Sequence, residues 1–76
     1  MSEGRGKMST EDLTTREREV LLCLERGLDD KGVAAELGVS VSTVRAHLRN
    51  AMRTLGANTR VHALAMLRRH KGRVST

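Results

Sequence analysis

The chain contains no Phe, Trp or Tyr, and that absence decides most of what it can fold into. A core must be assembled from Leu, Val, Ala, Met and the lone Cys23, side chains that suit close helix packing and give a β-sheet little to work with. Pro is absent as well, which leaves Gly as the main punctuation. Its 76 residues make one small domain whose stability should be marginal. The expected class is all-α: four short helices with local connections and a central helix-turn-helix.

Residues 1 to 12 hold Ser2, Gly4, Gly6 and Ser9 among mixed charges, without apolar period, and read as a flexible arm or linker. The folded domain is expected over residues 13 to 69. Thr14 and Glu17 have the spacing of a capping box, in which each side chain satisfies the other's backbone amide. Val20, Leu21, Leu24 and Leu28 supply the buried stripe of a first helix ending near Arg26, with Gly27 at its C-terminus. Asp29 or Asp30 caps a short second helix through Glu36, with Val33, Ala34 and Leu37 inward. Gly32 lies inside it, at a cost of about 1 kcal/mol relative to Ala. Gly38 can take positive φ and stop that helix. Ser40 then caps a third helix from Val41 to about Leu55, ended by Gly56. Asn58 or Thr59 begins a fourth, with Ala63, Leu64 and Leu67 inward and Val61, Ala65 and Arg68 nearer the outside. The basic tail over residues 70 to 76 reads as frayed.

Residues 38 to 53 carry the chemistry. At 3.6 residues per turn Val44, Leu48, Ala51 and Leu55 fall on one side, while Ser42, Arg45, Ala46, Arg49 and Arg53 share a narrow arc on the other. A helix with an apolar back and an arginine-lined front can enter a DNA major groove: Ala46 lets the backbone approach, and the guanidinium groups reach guanine edges and phosphates. An ordinary amphipathic helix with a solvated basic face has the same pattern.

Fourteen Lys and Arg against nine Asp and Glu give a net charge of +5, with Arg predominating. That balance favours a polyanionic partner, and Arg suits bidentate recognition of phosphate or guanine. A single cysteine excludes an intramolecular disulfide or a cysteine metal cluster, and Cys23 among Leu21, Leu22 and Leu24 reads as packing. No apolar run approaches the ~18 residues that span a bilayer, no signal peptide is visible, and the expected location is the cytoplasm. Catalysis has no support. His47, His62 and His70 are dispersed, Ser40 and Ser42 have no base beside them, and Glu17 and Glu19 serve capping and solvation. No cofactor or metal is expected.

Further residues fit a pattern spread over about fifty-five positions. They are Leu13-Thr14, Arg16-Glu17, Glu19-Val20-Leu21, Gly27, Lys31, Ala34, Leu37, Ser40, Thr43-Val44-Arg45, His47, Leu55-Gly56-Ala57, Arg60 and Ala63. With these the sequence resembles the LuxR/GerE (NarL/FixJ) type of DNA-binding domain in bacterial transcription regulators, a four-helix, wingless helix-turn-helix fold. The resemblance implies that the third helix reads the major groove with Arg45, Ala46 and Arg49 toward bases. It implies Lys31, Ser42, Thr43 and Arg60 near phosphates, and His47 at the edge of that helix, packing or touching the DNA backbone. Arg53, further along the basic front, is read as another backbone contact. The resemblance also implies dimerisation through the fourth helix, whose outer side carries Val61, His62, Ala65 and Arg68. A weak homodimer forming mainly on DNA is expected. The pattern departs at Asp29, Asp30 and Gly32, where the family often has Ser-Asn before the lysine and Glu after it. Carboxylates there stabilise the helix start through its dipole but would weaken a phosphate contact by Lys31. The opening Leu-Thr-x-Arg-Glu is shared with region four of primary sigma factors. A promoter or RNA-polymerase module is therefore one alternative, and a protein-interaction module without specific DNA binding is another.

Overall fold

A computed structural model describes residues 12–74, with side chains described as far as Arg69. Four helices follow one another: α1 (Thr15–Glu25), α2 (Asp30–Leu37), α3 (Val41–Leu55) and α4 (Arg60–Val74). There is no strand among the described residues, as the aliphatic composition implies.

Each helix starts on a local side-chain cap. The Thr14 hydroxyl accepts the amide of Glu17 at 3.1 Å, and the Glu17 carboxylate accepts the amide of Thr14 at 3.1 Å. This reciprocal pairing explains how Glu17 can be only 7% exposed. Asp29 caps α2 by accepting the amide of Gly32 at 2.8 Å, leaving Asp30 as the first helical residue. The Ser40 hydroxyl caps α3 through the amide of Thr43 at 3.1 Å. Thr59, of the two residues expected to start α4, accepts the amide of His62 at 3.0 Å.

The helix ends are as local. Arg26 closes α1, and Leu28 lies beyond it, its amide donating back to the Cys23 carbonyl at 3.2 Å. Leu28 is therefore half-buried packing after the cap, not part of the helix's own stripe as the periodicity predicts. Gly38 closes α2 at φ 71 and ψ 36, with its amide donating to the Ala34 carbonyl. Gly56 closes α3 in the same left-handed conformation. The turn between α2 and α3 is thus Gly38, Val39 and Ser40, the length that a helix-turn-helix uses.

The core gathers on the third helix. Val44, Leu48, Ala51 and Leu55 of α3 are buried with Val20, Leu21, Cys23 and Leu24 of α1, Val33 and Ala34 of α2, and Ala63 and Leu67 of α4. Helix α3 packs on all three others, and α1 also meets α2 and α4. Leu37 and Leu64, expected inside, are partly buried against this cluster. Gly32 costs α2 some propensity but sits tight: a Cβ there would lie 3.1 Å from Leu28 Cδ2 and 3.2 Å from the capping Asp29 Oδ1. Glycine at that position leaves room for both the cap and Leu28.

Helix α4 continues past Arg69 to Val74 and so takes in residues 70 to 74 of the expected tail. Arg and Lys are good helix formers and no Pro interrupts the stretch. The expected arm lies outside the described residues except for Asp12, as do Ser75 and Thr76.

The interhelical turn gives a clean stability test. A Cβ on Gly38 would meet nothing within 4 Å, so only the backbone conformation opposes a side chain there. Gly38→Ala should lower unfolding free energy by about 1–2 kcal/mol, the cost of a left-handed non-glycine residue. Urea denaturation followed by circular dichroism measures it, and the m-value should not change.

Candidate nucleic-acid interface

Helix α3 is fixed from behind and open in front. Its four apolar residues face the core, and the opposite arc, roughly 100° wide at 3.6 residues per turn, carries Ser42, Arg45, Ala46, Arg49 and Arg53. Ser42 and the three arginines are exposed, and Ala46 is half-buried among them. Ala46 is therefore a low point in an otherwise long-chained surface. His47 is half-buried and lies about 100° of helix rotation beyond Ala46, off the cationic arc and beside the buried face.

At the start of α3 the hydroxyl groups form a short chain. Ser40 Oγ donates to Thr43 Oγ1 at 2.9 Å and lies 3.1 Å from Ser42 Oγ. Since the single Ser40 proton goes to Thr43, Ser42 is the donor to Ser40. The Thr43 hydroxyl, accepting from Ser40, keeps its own proton for an outside acceptor. The first turn of α3 also presents the positive end of its helix dipole, a place where phosphate oxygens are favourable.

Arg60, at the first position of α4, joins this front. With Arg45, Arg49, Arg53 and Asn58 it rims an open groove of about 540 Å³ whose apolar lining is Leu48, Met52 and Ala57. Four guanidinium groups therefore converge where α3 meets the start of α4. Asn58 and Met52 belong to this groove without having been marked by the sequence. Their inclusion depends on the α3–α4 turn folding back, which no local pattern reports.

Asp30 is the larger surprise. Its Oδ2 accepts from Arg45 Nε at 3.4 Å and its Oδ1 from Arg60 Nη1 at 3.2 Å, so one carboxylate spans α2, α3 and α4. The carboxylate is only 18% exposed, against 66% for the Arg45 side chain. Arg49 and Arg53 have no carboxylate within ion-pair distance among the described residues. Lys31, the next residue of α2, is exposed. The acidic start of α2 thus bears on Arg45 and Arg60, where sequence reasoning had it weaken Lys31. Partners 15 and 30 positions apart leave no signature in sequence spacing.

The expected dimer seam lies on α4. Val61 is 76% exposed, the large hydrophobic side chain that stands out on the described surface. His62 is exposed and Ala65 half-buried. Arg68 is exposed but bends toward α1, its Nε 3.7 Å from Glu25 Oε2, so it belongs partly to the α1–α4 contact.

The model of the luxR family of bacterial regulatory proteins matches residues 11–67, most of the chain and all of α1, α2 and α3. The HTH-type transcriptional activator RamA of Corynebacterium glutamicum is 42% identical over 60 residues, covering 79% of this chain and 21% of RamA. The spore germination protein GerE of Bacillus subtilis is 46% identical over 57 residues, covering 75% of this chain and 77% of GerE. Among solved structures, the response regulator ChrA of a heme-sensing two-component system superposes with a TM-score of 0.76 at 34% identity, over 93% of this chain and 33% of ChrA. The chain spans about a fifth of RamA and a third of ChrA, and most of GerE. The fold, the cationic front of α3 and these likenesses agree: the chain belongs to the LuxR/GerE family of bacterial regulatory proteins and is a helix-turn-helix domain of its DNA-binding type.

Proposed function

We propose that this chain binds double-stranded DNA sequence-specifically as part of a bacterial transcription regulator, with α3 laid in the major groove. The observation that carries this is the build of α3: a rigid back held in the core and, opposite it, three arginines around one small residue. Arg45 and Arg49 read base edges through their bidentate donors, and Ala46 permits close approach. Thr43, Ser42 and the α3 N-terminus hold a phosphate, with Arg53, Arg60, Lys31 and His47 along the flanking backbone. The likeness to RamA extends the reading to transcriptional control, and a DNA partner places the protein in the bacterial cytoplasm. Two copies pair weakly through α4, around Val61, His62 and Ala65, on adjacent half-sites. One small reading head gains affinity from a second through effective concentration.

Selection of bound duplexes from a random pool, followed by titration across salt, tests the reading. Arg45→Ala should cost about 1–3 kcal/mol on the selected site and relax one base position. Equal loss on selected and unrelated duplex would make Arg45 a phosphate contact only. Arg53→Ala should weaken both duplexes alike and reduce the slope of log K against log salt by about 0.9, one phosphate contact. A module that binds only proteins would show no duplex-induced shift in the amides of residues 42 to 53 at low salt.

The pairing is tested separately. Val61→Asp should leave binding to a single half-site unchanged and lower affinity for paired half-sites by about 100-fold, the lower end of what linked binding contributes. Sedimentation at micromolar concentration without DNA should show monomer. A stable dimer there would contradict the weak seam.

A further inference from the structure

We infer that Asp30 is a specificity-determining residue of the interface: it positions Arg45 for base reading and restrains both Arg45 and Arg60 from indiscriminate phosphate contact. The inference rests on the DNA reading above and adds to it a residue that touches no DNA atom itself.

The geometry of the bridge gives the reason. Arg45 meets Asp30 through Nε, the inner edge of the guanidinium, at 3.4 Å. Its terminal Nη1 and Nη2 donors, the pair that matches guanine O6 and N7, enter no ion pair among the described residues, and the side chain is largely exposed. A guanidinium held by its inner edge has fewer orientations to lose on meeting a base, which is preorganisation in its ordinary sense. Arg60 meets the other oxygen, Oδ1, at 3.2 Å through Nη1. The carboxylate therefore stays partnered when Arg45 shifts toward the groove.

Charge acts in the same direction. A phosphate approaching either arginine must do so beside a carboxylate whose side chain is mostly covered and which is paired with both of them. An unrelated duplex presents its phosphates but not the matching base edge in register with Arg45, so it meets this repulsion without compensation. A cognate site offers Arg45 a base edge, where the bridge can persist. The neighbouring Asp29 provides an internal contrast, since its carboxylate is taken by the Gly32 amide at 2.8 Å and meets neither arginine in any ion pair among the described residues. Removing either charge changes the net charge equally, but only Asp30 bridges α2, α3 and α4.

The test compares Asp30→Asn and Asp29→Asn in the full 76-residue chain, on the duplex selected by the wild-type chain and on an unrelated duplex. Circular dichroism, the Nε–H resonance of Arg45 and the Nη–H resonances of Arg60 establish folding and the bridge before DNA is added. Asp30→Asn should shift the Arg45 Nε–H and Arg60 Nη–H resonances and tighten the unrelated duplex several-fold. It should steepen the salt slope there by about 0.9, one phosphate gained, and reduce the ratio of selected to unrelated affinity about tenfold. Asp29→Asn should leave that ratio within twofold of wild type. An unchanged ratio in Asp30→Asn, or an equal fall in both variants, overturns the inference while the DNA reading stands. Failure of the wild-type chain to select any duplex overturns the DNA reading and this inference with it.

Discussion

The burial of Val44, Leu48, Ala51 and Leu55 against the other three helices is the contact on which the rest of the molecule depends. These four residues fix the rotation of α3 about its own axis. A helix fixed in rotation by its back has no freedom left in its front, so the arc from Ser42 to Arg53 faces outward because its opposite is buried. The arrangement also explains why so small a core can suffice. Helix α3 touches every other helix, so a change in its hydrophobic face is felt throughout, and positions on its cationic front can vary without disturbing the packing.

That same economy makes the turns matter. With no aromatic residue to span gaps, the helices must approach closely, and their relative angles are set by short connections. Three residues join α2 to α3, and Gly38 reverses the chain in a conformation that other residues adopt only at a cost. The turn places the start of α2 beside the front of α3, and the α3–α4 connection brings Arg60 to the same edge. The bridge through Asp30 is a consequence of those two turns together.

What the sequence discloses follows from how far each interaction reaches. The caps at Thr14, Asp29, Ser40 and Thr59 each act on an amide three residues on. Together with the period of the apolar residues they place the four helix starts. The phase of α3 likewise separates its exposed cationic front from its core without any tertiary knowledge. Reading fails where a residue's role is decided by elements far along the chain. Leu28 fits the α1 stripe by spacing, yet the chain has already turned at Arg26, so it packs from outside the helix. Arg68 has the phase of an outward residue but reaches back to Glu25, which no periodicity on α4 alone can announce.

Asp30 shows why a departure from a family's pattern is best weighed in three dimensions. Beside Lys31 in sequence, an acidic residue reads as a local loss of phosphate affinity. In the fold its charge is directed at Arg45 and Arg60, so what it alters is the setting of the side chain we propose as a base reader and of the phosphate contact we propose on α4. Affinity for DNA at large comes from phosphates and is easily obtained by a chain of net charge +5; discrimination among sequences is the harder property for a reading head this small. On the proposed reading, a carboxylate that subtracts from the first while ordering the second improves the difference between right and wrong sites even as it lowers the sum. On that reading the acidic start of α2 belongs to the interface through the two arginines with which it pairs.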